Sequence, residues 1–143
     1  MTLVIMNGMG DVWHEKVNFV DTDNVVLGYD TSVQCCEQAG WFISDTPIRD
    51  GSFWTELDEL QVDMVKGTPV VMKNYSFDPT FMETLNGDSC GCDSGGMAIF
   101  RIVYKNNKIQ GQKFLHIYNA HNGWYSHGFH FTVDTAKPIK GSL

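Results

Sequence analysis

Apolar positions in this chain come in short runs divided by polar, turn-forming clusters, the pattern of a protein built mainly from strands. Val17-Asn18-Phe19-Val20 and Val25-Val26-Leu27-Gly28-Tyr29 flank Asp21-Thr22-Asp23-Asn24, whose residue types predict a hairpin turn. Trp41-Phe42-Ile43 is a further run, bounded by Gly40 and Ser44-Asp45. From Ser52 to Lys66 the period changes. Trp54, Leu57, Leu60 and Met64 recur at helical spacing behind Ser52 as N-cap, with Gly67 to close the end. Pro69-Val70-Val71-Met72 reads as a strand that opens on its proline, where the missing N–H does least harm. Residues 75–96 show no sustained period and read as a long irregular loop, carrying Cys90 and Cys92 in a mobile tip. Strand character resumes over Met97 to Tyr104.

The sharpest local signal follows. Asn122-Gly123 between two aromatic, β-favouring runs predicts a two-residue hairpin, because both central positions of such a turn need positive φ. This register places Tyr118 opposite His127, His116 opposite Phe129 and Phe114 opposite Phe131. Phe114, His116, Tyr118, His127 and Phe129 then share one face, the expected core side, with His116 and His127 diagonal neighbours. His121 and His130 fall on the other face. The elements together predict an α+β fold: one domain over residues 1–143, mainly antiparallel β-sheet with one or two short helices.

Composition narrows the partners. A formal charge of −7 argues against a nucleic-acid surface, which needs a basic footprint. Leu3-Val4-Ile5-Met6 is too short to span a membrane and lacks the charged flank of a signal peptide, so the expected setting is a cytoplasm, with no membrane partner. Cysteines in that reducing compartment are expected as thiols or metal ligands.

Candidate chemistry is sparse. Dinucleotide, phosphate-loop and nucleophile-elbow patterns are absent from the sequence. His116 and His127 read first as core imidazoles bonded to backbone or to a tyrosine hydroxyl. The alternative is a zinc site in which His116 and His127 join Cys35 or Cys36, with Glu37 as general base of a metal-dependent hydrolase.

Gly28-Tyr29-Asp30 with Cys35-Cys36-Glu37, the stretch Gly67-Thr68-Pro69-Val70-Val71, and Asn122-Gly123-Trp124-Tyr125-Ser126 resemble a domain-of-unknown-function family of small bacteriophage and bacterial proteins. The resemblance runs from Val17 to Phe131, and the segment from Tyr75 to Gly96 departs from it as an insertion. It implies a phage or mobile-element protein at work in a bacterial cytoplasm, and it implies no reaction. The expected function is therefore a non-enzymatic accessory protein that binds a host protein or small ligand, in counter-defence. Its expected surface combines Glu37 and Trp41 with His121, Trp124, Tyr125 and His127. A minor virion component is the third reading, and self-association into homo-oligomers is compatible with all of them.

Overall fold

Alternation along the strands sorts the chain into two stacked sheets. The computed structural model describes residues 3–7, 15–31, 38–52, 70–72, 74–92, 95–104, 112–120, 128–132 and 139–143. Its strands are β1 (Leu3–Asn7), β2 (Glu15–Val20), β3 (Val26–Thr31), β4 (Gln38–Ser44), β5 (Val70–Val71), β6 (Tyr75–Asn86), β7 (Gly96–Tyr104), β8 (Gln112–Ala120), β9 (Gly128–Phe131) and β10 (Ile139–Ser142). One five-stranded sheet runs β1-β4-β8-β7-β6 and the other β10-β9-β3-β2-β5. Neighbours are antiparallel except β2 and β5. The described residues are largely all-β, which corrects the α+β expectation. Gly87–Cys90 forms a single helical turn, and the helix expected from Ser52 to Lys66 lies, past Ser52, outside the described residues.

The predicted β2–β3 hairpin is present, with Glu15 opposite Thr31 and Val20 opposite Val26. Its turn is organised by Asp21, only 3% exposed. Asp21 Oδ1 accepts the N–H groups of Asp23 and Val25, both at 2.8 Å. Oδ2 accepts the N–H of Phe77 on β6, also at 2.8 Å, so one carboxylate closes the turn and ties the hairpin to the opposite sheet. Asn24 takes the left-handed conformation (φ 63°) that asparagine tolerates. Toward the far end of β3, the Tyr29 hydroxyl donates to the Tyr118 carbonyl of β8 at 2.7 Å.

Between the sheets lies the main core. Phe19, Leu27, Tyr29, Phe129 and Phe131 from one sheet meet Trp41, Phe77, Phe100, Leu115 and Ile117 from the other. Edge-to-face aromatic pairs recur there: Phe19 with Trp41 at 5.0 Å, Phe77 with Phe131 at 4.9 Å and Phe100 with Phe131 at 5.1 Å between centroids.

The other face of the first sheet is buried too. Phe42, Met97, Ile99, Phe114 and Tyr118 pack under Ile48, Cys90 and Cys92. The segment after β4 crosses this face as a strap. Asp45 pairs with Lys113 of β8, the Ile48 N–H bonds His116, and Arg49 forks onto Glu83 of β6 at 2.6 and 2.8 Å. Double coverage explains why β7 and β8 are nearly continuous in apolar and aromatic residues.

Two further expectations are corrected. The long irregular loop at 75–96 is mostly β6, the longest strand, and Cys90 and Cys92 are fully buried rather than mobile. The strand was hidden because its register on β7 shifts between Phe77 and Met82, so simple alternation breaks there. Pro79 sits within that irregularity, on the edge strand of its sheet, where a missing N–H is tolerated. The predicted pairing of the final hairpin also fails. β8 pairs with β4 and β7, placing His116 opposite Phe42 and Ile99, whereas β9 pairs with β3 and β10 in the other sheet. The chain changes sheets between Ala120 and Gly128; Asn122-Gly123 itself lies outside the described residues.

Candidate binding cleft

Of the residues singled out from sequence, Cys35, Cys36, Glu37, His121, Trp124, Tyr125 and His127 lie outside the described residues. The other two are placed clearly. Trp41 is 1% exposed in the inter-sheet core, so it offers no contact surface. His116 is fully buried and stacked on Phe42 at 4.2 Å between ring centroids. Its Nε2 accepts the Ile48 N–H at 3.0 Å, and Nδ1 lies 3.1 Å from the Phe114 carbonyl, which assigns the proton to Nδ1. Both ring nitrogens are thus committed to backbone. That removes His116 from the expected zinc ligands and agrees with its reading as a core imidazole. Burial pushes its pKa down to about 4, so the ring is neutral at pH 7.

Cys90 and Cys92 flank Gly91, whose left-handed conformation (φ 79°) ends the helical turn. Their thiols face the same buried cluster, and the bond from Cys92 holds Cys90 below the usual thiol range. Among the described residues no group of three histidine, cysteine or acidic side chains is placed to share a metal ion.

Among the described residues an accessible cleft lies at the rim, where the edge strands β6 and β10 face each other. In the second half of β6 the irregular register turns Met82 inward, opposite Phe100, and Thr84 follows opposite Ala98. β10, four residues long, borders them from the other sheet. A cleft of about 490 Å³ opens between Met82, Thr84 and Leu85 on one side and Phe129, Lys140 and Ser142 on the other. Glycine lets each of its two walls pack closely. A Cβ on Gly96 would stand 2.7 Å from the Leu85 carbonyl oxygen. On Gly141 it would run into the Phe129 ring, which lies over that position across the β9–β10 pair.

Lys140 also borders a shallower trough of about 330 Å³ on the outer face of the second sheet. There His130 lies between Gly28 and Lys140 in one cross-strand row, with Asp30 nearby. Sequence reasoning assigned nothing to Lys140 or Gly141. The available signal was slight: Ile139-Lys140-Gly141-Ser142 is a short run with one strong strand former.

No family model, curated protein or solved structure matches this chain.

Proposed function

We propose that this chain is a non-catalytic binding protein that captures its partner, a host protein or small ligand, at the rim between β6 and β10. The observation that carries the reading is the cleft itself, an opening into the inter-sheet core bordered by the edge strands of both sheets. The commitment of both His116 nitrogens to backbone supports binding over chemistry at one of the two imidazoles that the sequence joined to a thiol. The resemblance to small phage and bacterial proteins supports a bacterial cytoplasm as the setting and counter-defence as the purpose.

The test compares tagged wild-type protein with a Thr84→Trp variant, which fills the rim from the inward face of β6 and leaves every charge in place. Quantitative mass spectrometry after capture from expressing cells, with thermal unfolding as a folding control, reads the outcome. The reading expects a partner or co-purified ligand that is enriched by wild type and lost in the folded variant. Equal recovery by both proteins overturns it.

A further inference from the structure

The trough on the outer face of the second sheet is kept open by glycines that the fold does not require. Gly28 stands mid-strand in β3, in unbroken register with Asn18 on one side and His130 on the other, so no bulge calls for it. Gly128 is not in the left-handed region. Among the described residues a Cβ there would meet only the Gly141 carbonyl oxygen, at an ordinary 3.7 Å. Glycine weakens a strand, and where no turn, bulge or clash explains it, it marks a place where something approaches the backbone closely. Around this bare floor stand Asp30, His130 and Lys140.

The register sets their spacing. Lys140 lies directly opposite His130, with Cβ atoms about 5 Å apart. One step further along the β3–β9 pair, Asp30 comes across from Gly128, diagonal to His130 at about 7–8 Å. Neither His130 nor Lys140 has an ion pair among the described residues. Asp30 already has a partner in the fold, and a carboxylate with about four lone-pair sites accepts further bonds.

We propose that this trough binds a phosphorylated sugar, its phosphate on Lys140 and His130, its hydroxyls on Asp30 and its ring against the Gly128 backbone. The ammonium and imidazole N–H groups, side by side, suit one group that offers several acceptor oxygens, as a phosphate does. Asp30 repels a bare anion but accepts hydroxyls, so the three side chains together select an ester that carries both. A trough of about 330 Å³ is the size for a pentose phosphate. The net charge of −7 opposes any anion, yet that field is screened beyond about 8 Å at physiological salt, whereas direct contacts are not. This is a second site, on a different face from the rim cleft.

The test is an amide chemical-shift titration of the intact chain at physiological salt with ribose 5-phosphate. Ribose and inorganic phosphate serve as half-ligands, and adenosine monophosphate as the nucleotide form. Saturable shifts at Gly28, Asp30, Gly128 and His130 are expected, with ribose 5-phosphate about tenfold or more tighter than either half. Lys140→Glu should weaken binding about tenfold or more, while Lys140→Arg stays within about threefold. Asp30→Ala should erase the advantage of the sugar phosphate over inorganic phosphate. Gly128→Val should abolish binding by filling the floor, with thermal unfolding confirming the fold, and Thr84→Trp at the rim should leave the affinity unchanged. Tighter binding of the nucleotide names it as the source of the sugar phosphate, and weaker binding names the free sugar; either upholds the site. No saturable shift with either ester, or equal binding of inorganic phosphate, overturns the proposal. So does an indifferent Lys140→Glu variant, a folded Gly128→Val variant that still binds, or loss of binding in folded Thr84→Trp.

Discussion

His116 shows how one buried side chain makes the whole fold sensitive to pH. The unfolded imidazole titrates near its ordinary value of about 6.5. In the fold, desolvation lowers the pKa to about 4, with Arg49 lowering it and Glu83 and the backbone carbonyls opposing. Between these values the unfolded state binds the proton and the folded state does not. Stability is therefore complete above about pH 6.5 and falls as the pH drops toward 4, by on the order of 3 kcal/mol. Urea unfolding between pH 7.5 and 4.5 should show this loss. His116→Gln, which keeps an acceptor for the Ile48 N–H, should flatten it; an unchanged slope would place the proton elsewhere. His116→Ala leaves that N–H unpaired beside a new cavity, and a cost of about 2–4 kcal/mol is expected in the same assay at pH 7.5.

Among the elements, the β2–β3 turn and the β9–β10 pair each depend on one position. Replacing Asp21 by alanine strands the N–H groups of Asp23, Val25 and Phe77, and the expected loss is about 2–4 kcal/mol by denaturant unfolding. Asp21→Asn retains the oxygen that serves the turn but presents an amide to Phe77, so a smaller loss is expected. On β10, Gly141→Ala forces the Phe129 ring off its seat, at about 1–3 kcal/mol. In a Phe129→Leu background the same substitution should cost less, because the colliding ring carbons are gone. Equal costs in both backgrounds would show that the glycine serves the backbone instead.

For the molecule as a whole, coverage is unequal. β7 and β8 lie inside their sheet with both faces buried, while β10 is short, mostly exposed and at an edge. Hydrogen exchange should accordingly find the slowest amides in β7 and β8 and much faster exchange in β10. Uniform protection across these strands would contradict a β10 less firmly held than β7 and β8. The same asymmetry favours the rim for binding, since ligand sites draw on regions where ordering is least complete. No helix of the described residues is long and apolar enough to cross a membrane.

The sequence by itself determined the local elements whose signals are local. The β2–β3 hairpin was legible because turn residues and apolar runs adjoin, and the burial of His116 followed from its place in an aromatic run. β6 was not legible, because a register irregularity breaks the period on which strand reading depends. Nor was the choice of partners. Phe114 to Tyr118 reads equally well beside β9 or between β4 and β7, since alternation fixes which residues share a face but not which strand lies alongside. Only the tertiary structure sent β8 and β9 to different sheets. That decision buried Trp41 and His116 and left a cleft at the rim between β6 and β10, made by strands far apart in sequence and therefore without a motif.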